Sequence, residues 1–231
     1  MSDLDQLYAV NAIYPTLQGE GVMTGVPMVL LRMQGCSVGC SFCDTKETWK
    51  LPDAGNRVET IDDIETSPHS YALLPAKIIA EKAVSFGVDW VMLTGGEPSE
   101  RPLGAIVRAL HDVGLKVALE TSGTVRGHIG AGFDWVCVSP KIGMAGGKNI
   151  TLDAIIVADE MKFVVGKQSD IDILNTLLRE IAVFGNNKNR KMEICVQPIS
   201  QSTKATAICV EQAVKNNWRL SLQTHKYINL K

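Results

Sequence analysis

The sequence predicts an α/β fold with a parallel sheet, an incomplete (partial) TIM-type β/α barrel of about six β/α units, in one domain spanning 1–231. Three observations predict it. Short β-rich runs alternate with helical segments, the pattern of parallel strands joined by crossover helices. The runs end in polar, Gly- or Pro-containing turns, "TGGEP", "ETSG", "SPK", "QPIS" and "QTHK", and in such folds the C-terminal strand edges carry the site. A chain of 231 residues is also short for a closed barrel of eight such units.

The elements follow in order. "VDWVMLT" (88–94) is a strand that runs into the Gly-Gly turn. "PLGAIVRALHDV" (102–113) has helical spacing in Leu103, Ile106, Val107, Leu110 and Val113, with Pro102 in the first turn and Gly114 as the stop. "LKVALET" (115–121), "FDWVCVS" (133–139) and "EMKFVV" (160–165) are strands. Residues 169–185 form a helix opened by a capping box of Ser169 and Asp172 and ended by Gly185. A strand at 192–198, a helix at 202–217 and a last strand at 218–224 complete the series. The stretch 50–75 is polar and aperiodic, either a long loop or a small inserted element. "GKNI" (147–150) and "GNNKNRK" (185–191) read as surface turns.

Composition excludes several classes. Hydrophobic residues make up 45% and charged residues 21%, with a net charge of −2, so no broad basic field points to nucleic acid. No run of about 18 apolar residues offers a membrane span, and the N-terminus has no secretory pattern. The expected setting is cytoplasmic, where thiols stay reduced and clustered cysteines point to metal or catalysis rather than disulfides.

Cys36, Cys40 and Cys43 crowd into "GCSVGCSFCDT" (35–45) with the spacing C-x3-C-x2-C. Thiolates are soft ligands that suit zinc, copper(I) or iron–sulfur clusters. A closed zinc site needs a fourth Cys or His, and none stands nearby. Cys137, Cys195 and Cys209 sit among Val, Ile and Ala and read as buried residues. Three thiolates on a four-iron cube would leave one iron open to a substrate or cofactor. A zinc knot in a binding protein remains the alternative on spacing alone.

The spacing, with Phe42 before the last cysteine and "TGGEP" (94–98) after a strand, resembles the radical S-adenosylmethionine (SAM) superfamily. The resemblance implies a 4Fe-4S cluster on Cys36, Cys40 and Cys43 whose open iron binds SAM, cleaved to a hydrogen-abstracting 5′-deoxyadenosyl radical. "YPTLQGEGVMTGVPMVLLRMQGC" (14–36), "CDT" (43–45), "LETSGT" (119–124), "VSPK" (138–141), "QP" (197–198) and "LQTHKYINL" (222–230) resemble the 7-carboxy-7-deazaguanine synthase family along nearly the whole chain. That resemblance implies conversion of 6-carboxy-5,6,7,8-tetrahydropterin to 7-carboxy-7-deazaguanine and ammonia by radical ring contraction. It also implies Mg²⁺, a homodimer, and a flavodoxin or ferredoxin as electron donor. A glycyl-radical activase shares the cluster spacing, but would need a groove for a peptide loop.

Site residues carried over by this resemblance fall into three groups. Thr45 matches a Mg²⁺ ligand, an oxygen donor suited to a hard cation. Phe42, Cys43, Asp44, Gly96, Ser139, Pro140, Lys141, Gln197, Pro198, Ile199 and Ser200 match SAM-binding segments. Leu17, Gln18, Gly19, Arg32 and Thr94 match substrate contacts, and Glu20 is suited to accept hydrogen bonds from a 2-amino-pyrimidinone face, solvated loop residues being the alternative for Gln18 and Glu20. Arg32 is suited to a bidentate grip on a carboxylate, and a charge inside "MVLLRMQ" needs a partner in any case, an ion pair being the alternative. Glu120 either bonds a ligand hydroxyl or caps a turn. His225, at the end of the last strand, is a candidate for the pocket wall, whereas His69, His111 and His128 read as surface or loop residues.

Overall fold

The protein is described by a computed structural model that covers residues 6–50, 53–66, 70–125, 129, 132–184 and 191–230. Its first element is a hairpin of two strands, β1 (Leu7–Leu17) and β2 (Pro27–Met33). A short β3 (Arg57–Val58) and β4 (Tyr71–Pro75) follow, then α1 (Ala76–Val84). The repeating part runs β5 (Trp90–Thr94), α2 (Gly104–Asp112), β6 (Lys116–Thr121), β7 (Trp135–Val138), α3 (Leu152–Ile156), β8 (Glu160–Val165), α4 (Gln168–Phe184), β9 (Glu193–Pro198), α5 (Thr203–Asn216) and β10 (Arg219–Leu220). A single-turn helix, α6 (Thr224–Tyr227), ends it.

One sheet joins all the strands in the order β10-β9-β8-β7-β6-β5-β2-β1-β4-β3. From β2 through β10 every pairing is parallel, while β1 is antiparallel to both β2 and β4. The expected incomplete β/α barrel is therefore present, with a hairpin and two short strands added on one side.

Alternation sorts the side chains of the parallel strands. Val29, Leu31, Val91, Leu93, Val117, Leu119, Val136, Val138, Met161, Phe163 and Val196 join the apolar core that also takes in the helices. The other parity is different: it presents Leu30, Arg32, Met92, Thr94, Glu120, Lys162, Val164 and Gln197 to a cavity. Polar residues survive on these strands because they face a ligand space, not the packed layer.

Several expected elements shift. The helix expected at 169–185 spans Gln168–Phe184, and the Ser169–Asp172 capping box is not what opens it. The Asp170 carboxylate instead accepts the backbone N–H groups of Gly166 (2.7 Å) and Lys167 (3.0 Å). Pro102 precedes α2 without entering its first turn, and its carbonyl accepts the Tyr8 hydroxyl. The strand expected at 218–224 stops at Leu220, because the chain turns away and the Thr224 N–H bonds the carbonyl of Gly19. The helix expected at 202–217 is α5, with the Ser202 hydroxyl accepting from Ala205 and Asn217 closing it in the left-handed conformation. Within 50–75, Tyr71–Pro75 forms a regular strand against β1; the rest of its described part holds short 3-10 turns and β3. His69, His128 and residues 185–190 lie outside the described residues.

Candidate active site

The cysteine loop follows β2 directly and is held by its own surroundings. The N–H of Gly35 donates to the Thr48 carbonyl (2.8 Å), and the N–H of Gly146 donates to the carbonyl of Val38 (3.0 Å). The Arg101 guanidinium donates to the carbonyls of Gln34 (2.6 Å) and Gly35 (3.3 Å). The Gly-Gly turn after β5 is tied to the same loop. Glu97 donates its N–H to Gly35 (3.0 Å), and Gly96 donates to the Thr48 hydroxyl (3.1 Å). Gly96 has φ +50°, and a Cβ there would overlap the Gly35 carbonyl, so only glycine allows this approach.

Glu97 fixes the turn from beneath. Its buried carboxylate accepts from the Ser99 N–H (3.0 Å), the Thr121 hydroxyl (2.7 Å) and both the N–H (2.7 Å) and hydroxyl of Ser122. It thereby joins the ends of β5 and β6.

The three thiols of the loop line one cavity of about 330 Å³ with this turn. Burial pushes the Cys36 thiol up to about 11, with help from Glu97 and Glu100. Burial also raises Cys40, against the pull of Lys141. Free, both are protonated at neutral pH, so loading a metal group here releases protons. No group of three or more His, Cys, Asp or Glu side chains among the described residues is arranged to hold a metal ion. The fit to an iron–sulfur cluster rests on donor chemistry: three free cysteines, on one cavity wall, with no fourth protein donor beside them. Thr45 sits just beyond, its hydroxyl not used as a helix cap and 3.7 Å from the Cys43 Sγ. The Lys141 ammonium lies 5.7 Å from the Phe42 ring centroid and donates to the Ser139 hydroxyl.

At the other end of the cavity stands a buried charged group. Lys162 of β8, 4% exposed, places its Nζ 2.7 Å from a Glu20 oxygen and 3.0 Å from a Glu120 oxygen. The Gln18 side-chain amide donates to Glu120 (3.1 Å) and accepts the Glu20 N–H (3.2 Å). Gln223 donates to Glu20 (2.8 Å). Burial opposes the charge on Glu20, but Lys162, Gln223 and His225 outweigh it and bring its carboxyl down to about 2. Burial likewise opposes the Lys162 ammonium, yet the surrounding acids hold it well above the usual lysine range. Cys137 is itself kept a neutral thiol by burial, so the carboxylates supply that counter-charge. Glu160, behind this group, is pushed upward by burial and has one oxygen without a hydrogen-bond partner among the described residues.

The tail crosses from one end of the cavity to the other. The hydroxyl and N–H of Thr224 donate to the Gly19 carbonyl (3.1 and 2.8 Å), and Lys226 pairs with Asp44 (3.3 Å). The His225 ring packs on Gly19 so closely that a Cβ there would overlap it.

Every residue expected at the site lines this cavity except Pro140, which is buried behind the wall because Ser139 and Lys141 take the inward positions. Glu120 faces the cavity and bonds side chains there; it does not cap a turn. Lys162, Glu97 and Gln223 were not singled out from sequence. The signal for Lys162 was a lysine two residues from Glu160 in an otherwise apolar strand, both on one face. Cys137 and Cys195 are buried as expected, but they flank the charged group, and only Cys209 joins the main apolar cluster.

A partial β/α barrel with three cysteines and a Gly-Gly turn on one rim defines a radical SAM protein, and the radical SAM superfamily model matches residues 30–153. Within that superfamily the chain belongs to the 7-carboxy-7-deazaguanine synthases. It is 39% identical to the enzyme of that name from Escherichia coli K12 over 96% of this chain and 99% of the other. It is 35% identical to that of Buchnera aphidicola subsp. Schizaphis graminum over 97% and 99%. The crystal structure of QueE from Escherichia coli superposes with a TM-score of 0.87 at 35% identity, covering 97% of this chain and 99% of that one. No helix among the described residues is long and apolar enough to cross a membrane.

Proposed function

We propose that this cavity carries out the reaction for which the family is named, with 6-carboxy-5,6,7,8-tetrahydropterin as substrate and 7-carboxy-7-deazaguanine and ammonia as products. The observation that carries the reading is the pairing of unlike groups in one space. Arg32 lines the cavity with no hydrogen-bond or ion-pair partner among the described residues, while Glu20 and Glu120 offer acceptors on the same wall. A carboxylated aminopyrimidinone ring has complementary ends. Its carboxylate would take the Arg32 fork, and its N–H and amino groups would meet the carboxylates.

A cluster on Cys36, Cys40 and Cys43 would supply the electron that cleaves SAM to the hydrogen-abstracting radical. The chain's residues do the rest. Gly96 would let SAM approach the backbone of the Gly-Gly turn, and Phe42, Ser139, Lys141 and Gln197 to Ser200 would line the rest of its space. Thr45 would hold Mg²⁺ through its hydroxyl, a hard cation suited to the charge of the substrate carboxylate. Thr94, paired in register with Arg32, brackets the same group. A homodimer is the assembly expected of the family. A flavodoxin or ferredoxin would deliver electrons in the cytoplasm.

The test is an anaerobic assay of the reconstituted, reduced protein with SAM, Mg²⁺ and 6-carboxytetrahydropterin, read by mass spectrometry. The expected result is 7-carboxy-7-deazaguanine with 5′-deoxyadenosine. Deoxyadenosine without the deazapurine would overturn the substrate.

A further inference from the structure

Among the described residues, Lys162 is the one that touches both carboxylates of the cavity's buried charged group, and it resides on neither of their elements. Glu20 is in the β1–β2 turn, Glu120 on β6 and Lys162 on β8. Its ammonium has three donors in an adjustable geometry, and two of them are directed at these acids. Glu160 stands two residues away on the same strand, behind the pair. Three carboxylates so close in a buried place cannot all remain charged without a cation; one would take a proton. A protonated carboxyl is a donor, and a donor facing the N–H and amino edge of a pterin repels it. An unpaired buried group in a binding site is what gives strong rejection of the wrong ligand.

Resting on the pterin reading above, we propose that Lys162 is the positioning residue of this site: by bonding Glu20 and Glu120 together it fixes them as a paired acceptor that selects a 2-amino-4-oxo pyrimidine ring. Lys162 acts through the two acids and not on the ring. A dioxo ring, with a carbonyl where the pterin has its amino group, presents an acceptor to an acceptor and is rejected.

The probes are 6-carboxypterin and 6-carboxylumazine, titrated calorimetrically against cluster-loaded protein, with iron content and circular dichroism recorded in parallel. The wild type is expected to prefer the pterin by about 100-fold, the scale of one unmatched hydrogen bond to a charged group. Lys162→Met should lose about 100-fold on the pterin and far less on the lumazine, so the preference collapses. Lys162→Arg, which keeps the charge, should restore most of it. If Lys162→Met weakens both probes equally, its role is structural and the proposal falls. Should Lys162→Met fail to fold, Lys162→Gln, which leaves both acids in place without the cation, carries the test: a preference lost in a folded protein while lumazine binding holds supports the proposal, and a retained preference overturns it. A wild type that turns over 6-carboxytetrahydropterin but does not distinguish the two probes overturns the Lys162 proposal alone. One that neither binds nor turns over any pterin overturns the substrate reading as well.

Discussion

At the rim of the barrel, the main chain holds the functional groups. Backbone carbonyls of residues 34, 35 and 38 anchor the cysteine loop, and one buried carboxylate, Glu97, fastens the Gly-Gly turn to the end of β6. At the floor, side chains hold one another: Lys162, Glu20, Glu120, Gln18 and Gln223 form a chain of bonds across four separate segments. The rim must present soft donors and a close-packed backbone to large ligands, which a contiguous loop can do. On the proposed reading the floor recognises the edge of one flat ring, which needs charges placed from several directions.

The largest effect should come from breaking the rim. Cys40→Ala removes one of three cluster donors, and iron content, the absorbance near 400 nm and all SAM cleavage should disappear together. Retained cleavage would break the assignment of the loop. Arg32→Ala should act on the substrate end alone. Losing a charged bidentate contact is worth about 2–3 kcal/mol, or roughly 30- to 150-fold. The pterin KM should rise by that order while uncoupled formation of 5′-deoxyadenosine stays near wild type. Equal losses in both would mean that Arg32 supports the rim and not the substrate.

The same contrast explains what was legible in the sequence. The rim is local: C-x3-C-x2-C, Phe42 and "TGGEP" each occupy a few consecutive residues whose chemistry is visible without a fold. β5 to β9 and the helices α2, α4 and α5 were also legible, because each carries an apolar run or period that stops at a Gly, a Pro or a cap. The floor was only half legible. Glu20 lay within a recognisable stretch, but Lys162 sits 142 positions later, and only the parallel register that aligns Lys162 with Cys195 and Glu160 with Cys137 turns it inward. β1, β2 and β4 are strands whose exposure is set by a hairpin, and their sequences lack a clean alternation. The last strand was overextended because "LSLQT" has strand character, while Thr224 is bonded to Gly19 across the cavity, a contact no local pattern announces.

A smaller effect tests where the rim ends and the substrate space begins. Thr45→Ala removes a hydroxyl that caps nothing. Iron content and SAM cleavage without substrate should not change, and the stimulation by Mg²⁺ should fall about tenfold, as for loss of one ligand-oriented contact. An unchanged Mg²⁺ response would move the metal away from Thr45 and leave the rim with no role beyond the cluster and SAM.

The smallest effect concerns the floor's contribution to stability. The Glu20 carboxyl is held down to about 2 in the folded protein against an ordinary 4.5. A depressed carboxyl stabilises the fold fully above its unfolded value, and that contribution fades as pH falls from 4.5 toward 2. Between pH 7 and pH 3.5 the part lost is about 1.4 kcal/mol, one unit of the linkage. Glu160, raised by burial, titrates in the opposite sense, but it is common to wild type and variant and cancels in their comparison. Glu20→Gln should therefore be less stable at pH 7 yet lose about 1.4 kcal/mol less than wild type on going to pH 3.5, measured by urea unfolding at both pH values. Parallel losses would mean that Lys162 does not hold Glu20 charged in the free protein, and that the floor becomes an acceptor pair only when a ligand arrives.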